Sequence, residues 1–199
     1  MLTQYSATHP ACKATLRRSL RHARRNLSPS QHAINSRLAC QRLLSSCHFK
    51  RARSIAAYIA NDGELDPKPI IKAALQQGKR VYLPIVQDNF QLNFQPFAPG
   101  NRLRRNRYGI KEPYIRNRRR SDLQSMDLII LPLVGFDAER NRIGMGGGYY
   151  DRALCWSKKT SRSKPVLIAL AHEIQRQPQL VTDEWDIKID KIISEKTVY

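Results

Sequence analysis

The 199-residue chain is short of acid: 16 Asp and Glu stand against 35 Lys and Arg, a formal net charge of +19 at pH 7. Such an excess favours anionic partners, whether nucleic acid, an acidic membrane surface or polyanionic small molecules. Long hydrophobic runs are also missing, and no apolar stretch reaches the roughly 20 residues that a membrane-spanning helix needs. The polar stretch from Met1 to Pro10 lacks the apolar core of a secretory signal, so the expected location is the cytoplasm. Cysteine is scarce, and Cys12, Cys40, Cys47 and Cys155 show no Cys-x-x-Cys spacing. A chain of this length can form a core without disulfide staples, and these are expected to be free thiols. No internal repeat is present, and one domain covering residues 1–199 is expected.

Glycine is sparse as well, except at one place. Leu128 to Val134 is an apolar run of the length and composition of a buried strand. A turn at Asp137 to Asn141 follows, then Arg142-Ile143-Gly144-Met145-Gly146-Gly147-Gly148, then a helix predicted over Tyr149 to Ser157. Glycine lets the backbone take unusual dihedrals and come close to a ligand. A helix N-terminus directly after such a loop would point free N–H groups at an anion. The spacing fits neither GxxxxGK[ST] nor GxGxxG, and a glycine loop alone reads equally well as a tight strand-to-helix turn. The flanks shift the balance toward a ligand site: Arg142 offers a cation for phosphate, and Asp151 a carboxylate for a hard metal, as a Mg-nucleotide site requires.

Elsewhere, Leu16, Leu20, Ala23 and Leu27 form the apolar stripe of a first helix, with Lys13, Arg17, Arg18, Arg21, Arg24 and Arg25 reading mostly as its solvated face. Ser28-Pro-Ser-Gln31 fits a capping box that opens a second helix carrying Ile34, Leu38 and Leu43. Ser54 to Ala60 reads as a central strand, Asn61 to Asp66 as a polar loop, and Asp66-Pro67 as the cap of a third helix that ends at Gly78. Lys79 to Val86 reads as the next strand, stopping near Pro84, and Phe90, Leu92 and Phe94 alternate as in a half-buried strand. Arg102 to Arg120 is a basic segment, in part a surface loop, with Glu112 its one acid. Val166 to Ala171 and Lys191 to Ser194 complete the strands. Strands alternating with helices predict an α/β fold with a largely parallel sheet, whose ligands sit beyond the C-terminal strand ends.

Phe136-Asp137 followed by Arg142-Ile-Gly-Met-Gly-Gly-Gly-Tyr-Tyr-Asp-Arg152 resembles the signature of the 5-formyltetrahydrofolate cyclo-ligase (methenyltetrahydrofolate synthetase) family, and the likeness extends over nearly the whole chain. The resemblance implies a three-layer α/β/α architecture similar to the NagB/RpiA/CoA-transferase-like fold. It implies ATP contacts at Lys13, Ala14, Thr15, Leu16 and Arg17, and again at Arg142, Ile143, Gly144, Met145, Gly146, Gly147, Gly148, Tyr149 and Tyr150. Folate contacts are implied at Ile59, Glu64 and Tyr108, and at Met145 to Tyr149, and Mg²⁺ ligation at Asp151 and Asp186. Met145 departs from the Tyr or Arg of many relatives, and the arginines around Tyr108 make the match there approximate. The implied reaction is ATP-dependent closure of 5-formyltetrahydrofolate to 5,10-methenyltetrahydrofolate with release of ADP and phosphate. Its partners are small molecules, ATP and the free or polyglutamylated folate, with no membrane or nucleic acid, and the implied state is a monomer.

Plainer readings stand beside these. Glu64 alone would be a solvated loop carboxylate, His172 a structural histidine or a proton shuttle, and Tyr149 a packing ring. Asp183, Glu184 and Asp186 would be capping acids. Two other functions compete. Nucleic-acid binding would follow from the charge, but the basic segment lacks interleaved aromatics beyond Tyr108 and Tyr114. A sugar-phosphate isomerase or acyl-CoA transferase shares the implied fold, but neither accounts for the nucleotide-like loop.

Overall fold

The computed structural model describes residues 10–114, 121–158 and 165–199. The N-terminal stretch through His9 and the arginines at 116, 118, 119 and 120 lie outside the described residues. In chain order the elements are α1 (Pro10–Arg25), α2 (Pro29–Ser45), α3 (Cys47–Arg51), β1 (Ser54–Ala56), α4 (Lys68–Gln76), β2 (Arg80–Val86), β3 (Leu92–Phe97), β4 (Leu103–Arg105), β5 (Lys111–Pro113), β6 (Leu128–Leu131), β7 (Gly135–Phe136), β8 (Arg142–Ile143), α5 (Tyr149–Leu154), β9 (Val166–Leu170) and β10 (Lys191–Ile193).

A six-stranded sheet runs in the order β10-β9-β6-β1-β2-β3. Only the β2–β3 edge pair is antiparallel. From β1 the chain builds outward through β2 and β3, and from β6 it builds the other way through β9 and β10. The strand order therefore reverses between β1 and β6, and the crevice outside their C-terminal ends is where an open parallel sheet binds ligands. Strands buried on both faces read as continuous apolar runs, which is why β6 and β9 were legible. Their alternate residues feed two cores. Leu128 and Ile130 pack with α2, α3 and α4 through Leu43, Phe49 and Ile70. Ile129 and Leu131 face Phe136, Leu154, Ile187 and Ile189, so short α5 and irregular segments cover the second face.

Several expectations need correction. β1 ends at Ala56, not Ala60. β2 reaches Val86 as expected, but it runs through Pro84 without stopping there. β1 is opposite β2 only as far as Tyr82, so no parallel rung is lost where proline has no N–H. Phe90 lies outside β3, at φ 57 and 57% exposed. The described part of the basic segment includes a β4–β5 hairpin, and its acid Glu112 is buried, accepting from Arg104, Asn106 and the Val86 amide. In α2, Ser28 caps Gln31 N, but the Gln31 side chain donates to Asn35 and not back to the cap. Ile34 is exposed, because α2 turns a partly polar face inward. Asn35 meets His172 Nδ1 at 3.1 Å, and Ser36 Oγ accepts from Asp66 N. All four cysteines are free, and burial pushes the Cys40 thiol up to about 12, which leaves it inert.

Candidate active site

Both walls of the crevice at the reversal of strand order are built from loops. The loop after β1 carries Ile59 and Glu64. Its turn has Asp62 at φ 55 and Gly63 at φ 73, and Leu65 O accepts from the buried Tyr58 hydroxyl. Glu64 is not a solvated carboxylate. Its side chain is 13% exposed, Oε2 accepts from Asn61 N at 3.0 Å, and Arg24 Nη2 lies 3.8 Å from Oε1. Burial pushes its carboxyl up to about 7, with Arg24 pulling the other way. Ile59 is partly buried against the neighbouring core.

The opposite wall is the glycine loop. The β7–β8 hairpin presents it, and Asp137 closes that hairpin by accepting from Asn141 N and Leu180 N, which accounts for the Phe-Asp part of the signature. Gly146 at φ 96 and Gly148 at φ 63 need glycine, and a Cβ on Gly147 would sit 2.9 Å from the Tyr149 ring. Arg17 Nε donates to Gly144 O at 3.0 Å, and its guanidinium covers Gly146. Arg142 has a side chain 3% exposed; Nη2 bonds the Asp151 carboxylate, and buried Nε has no partner among the described residues. Nor does any described group accept from the amides of Met145, Gly146 or Gly147. A buried donor left unmatched is costly unless a ligand supplies the acceptor. Because α5 is only six residues long, its dipole adds little, and the loop amides and guanidiniums must supply most of the anion affinity.

Tyr108, from the β4–β5 turn, reaches this loop. Its hydroxyl is 2.7 Å from that of Tyr149, and the rings meet edge to face. Phe90 lies 6.0 Å from the Tyr149 ring, and the Arg152 guanidinium lies against both. Tyr149 thus belongs to an exposed aromatic wall. Tyr150 turns inward, where burial and then Glu64 push its hydroxyl up, with Arg142 opposing, so it adjoins both halves of the crevice. Ile143 is buried, and Met145 is half exposed.

The remaining predicted residues meet α1. Lys13 Nζ is 2.6 Å from Asp183 Oδ2 and 4.0 Å from Asp186 Oδ2, so an ATP phosphate would share Lys13 with carboxylates. One turn on, Arg17 meets the glycine loop, which brings the 183–186 turn and that loop to one face of the helix. Ala14 and Thr15 are exposed, and Leu16 is half-buried. Asp186 also accepts from Asp183 N, which is capping geometry. Among the described residues, no group of three or more His, Cys, Asp or Glu could hold a metal unaided. Asp151 and Asp186 are the two carboxylates that the family likeness assigns to Mg²⁺, an ion that takes one or two carboxylates and completes its shell with phosphate oxygens and water.

Arg24, Asp62, Arg107 and Arg152 were not singled out as site residues, although Arg17, Arg21 and Arg24 share one face at i, i+4 and i+7, a helical signal open to a reader. Arg24 is 0% exposed, which corrects its assignment to a solvated face. His172 is also fully buried, bonded to Asn35 and edge-on to His32.

A family model described as the 5-formyltetrahydrofolate cyclo-ligase family matches residues 9–195. A 5-formyltetrahydrofolate cyclo-ligase of Haemophilus influenzae is 33% identical over 181 residues, 89% of this chain and 95% of that one. Its counterpart in Escherichia coli K12 is 34% identical over 182 residues, 90% of this chain and 98% of that one. Among solved structures, the Aquifex aeolicus 5,10-methenyltetrahydrofolate synthetase superposes with a TM-score of 0.78 at 32% identity, covering 94% of this chain and 91% of that one. The crevice and the signature loop thus fall within a shared fold, and the chain belongs to the 5-formyltetrahydrofolate cyclo-ligase family.

Proposed function

We propose that this chain closes 5-formyltetrahydrofolate to 5,10-methenyltetrahydrofolate at the expense of ATP, releasing ADP and phosphate. The observation that carries this reading is the buried Arg142, with an unmatched Nε beside open loop amides, near a largely shielded Glu64 at the reversal of strand order. The formyl oxygen is a poor leaving group. Its attack on the γ-phosphorus breaks the P–O bond to ADP, which leaves, makes the formyl oxygen a phosphate ester and leaves N5 iminium-like. N10 then adds to the activated carbon and gives up its proton to solvent, and phosphate departs with the electrons of the C–O bond.

This chemistry asks the protein mainly for positioning and electrostatics. Arg17, Arg142 and the loop amides hold phosphate oxygens, and Lys13 joins them once drawn from Asp183. Mg²⁺ on Asp151 and Asp186, directly or through water, would offset the charge building on the phosphates. Glu64 accepts from the pterin and orients it, with Ile59 beneath and the Tyr108–Tyr149 wall against the rest of the folate. The excess of positive charge is not confined to this crevice. A depression of about 670 Å³ lined by Lys50, Arg51, Arg53, Lys79 and Arg80 lies by the start of β1 and β2, at the other end of the sheet. On this reading the chain is one cyclo-ligase domain, working as a cytoplasmic monomer. No helix among the described residues is long and apolar enough to cross a membrane.

Arg142→Ala tests the assignment. Losing a charged hydrogen-bond donor to phosphate should raise the apparent KM for ATP by about tenfold or more. Unchanged ATP kinetics in a folded variant would remove Arg142 from the nucleotide site.

A further inference from the structure

One side chain ties the two walls of the crevice together. Arg24, in the last turn of α1, uses its whole fork: Nε donates to Asp62 O at 2.8 Å, Nη1 to Leu133 O at 3.0 Å, and Nη2 to Asp62 Oδ2 at 2.9 Å. Asp62 precedes Glu64 in the loop after β1, and Leu133 lies between β6 and the hairpin that presents the glycine loop. A buried ion pair is weak evidence for stability, since well-packed apolar residues often serve as well. What such a fork can do that an apolar side chain cannot is fix two loops in register.

The turn closes on itself, with Glu64 N donating to Asn61 O at 3.0 Å and Asn61 N to Glu64 Oε2, but those bonds do not set where it stands against the end of β6. Asp62 at φ 55 and Gly63 at φ 73 take the paired positive-φ conformations that an Asp-Gly turn favours. Arg21 and Arg25 grip the same carboxylate from outside, and Gly63 packs on the Arg24 carbonyl, where a Cβ would come within 3.4 Å. Glu64 follows directly, with Arg24 Nη2 3.8 Å from its Oε1. Arg17, two turns earlier on the same helix face, grips Gly144 O. α1 therefore acts as a ruler, with one mark on each loop.

We propose that Arg24 is a positioning residue for the folate substrate. It fixes the Asp62–Glu64 turn against the end of β6, so that the Glu64 carboxylate meets the pterin at a set distance from the glycine loop. The proposal rests on the reading of Glu64 as a folate contact.

The test is steady-state kinetics of Arg24→Lys, Glu64→Gln and the double variant, with each substrate varied separately. Arg24→Lys keeps the charge but loses the fork. We expect KM for 5-formyltetrahydrofolate to rise about tenfold, with KM for ATP and kcat changing less than about twofold. Because Arg24 acts through Glu64, the double variant should lose much less than the product of the single effects. An unchanged folate KM in folded Arg24→Lys, or equal rises in both KM values, overturns the proposal. If Arg24→Lys does not fold, the Arg21→Gln/Arg25→Gln pair loosens Asp62 from the surface. It should raise folate KM about threefold and spare ATP, and no change there overturns the proposal as well. Should Glu64→Gln itself leave folate KM unchanged, the folate reading of Glu64 fails, and the positioning proposal falls with it.

Discussion

Asp151→Ala is expected to lower kcat/KM at least about 100-fold, because this carboxylate has two tasks at once. It accepts from Nη2 of the nearly buried Arg142, and on the proposed reading it is one of two carboxylates that would hold Mg²⁺. Its loss leaves a buried guanidinium without its counter-charge and the phosphates without a metal anchor. Asp151→Asn separates the tasks. The amide oxygen can still accept from Arg142, but a neutral ligand is a poor partner for a hard dication. Comparable losses in both variants would mark the metal as the larger effect. An Asn variant of wild-type activity would make Asp151 only a brace for Arg142.

A second large effect is hidden in wild-type pH behaviour and shows only in variants. Burial, with His32 next to it, lowers the His172 pKa from 6.5 to about 4. A histidine kept neutral in the fold contributes stability fully above its unfolded pKa, and that contribution drains away as pH falls from about 6.5 toward 4. The difference is on the order of 3 kcal/mol. Glu64 works the other way. Its pKa is raised by burial from 4.5 to about 7, so the fold favours its protonated form, and stability is lost as pH rises from about 4.5 through 7. Over the shared window the two oppose each other, and the wild-type protein should show little net slope from them. Denaturant melts of His172→Gln should gain on wild type as pH falls from 6.5 to 4, and those of Glu64→Gln should gain as pH rises from 4.5 to 7. Parallel curves for wild type and either variant would contradict the burial argument for that residue.

Much of the fold was legible because it obeys simple periodicities. β6, β9 and β10 are buried apolar runs, and α4 closes at Gly78, whose φ of 69 is the left-handed turn a helix end favours. The failures have specific physical causes. β7 and β8 pair only two residues each, too few for any alternation to show, yet their hairpin aims the glycine loop. α2 hides its buried face by lining it with Asn35 and Ser36, whose partners lie at His172 and Asp66, far along the chain. Phe90 fits the period of β3 but turns out to bear on Tyr149 and Arg152.

The site divides in the same way. The glycine loop and Asp151 could be read locally, because the chemistry lies in adjacent residues. Glu64 could be named only through a family likeness, because its burial comes from α1. Arg24 went unread because an arginine on a basic helix looks solvated until Asp62 and Leu133 are brought beside it by the sheet. Lys13 shows a further limit: its helix face reads as solvated, and the fold pairs it with Asp183.

The measurement that tests the central claim most directly is a coupled assay with 5-formyltetrahydrofolate, ATP and Mg²⁺, following the near-ultraviolet absorbance of the methenyl product together with ADP. The expected result is stoichiometric appearance of both, abolished by chelation and by Asp151→Ala. Folded protein that yields neither product, but binds nucleic acid with a steep salt dependence, would contradict it.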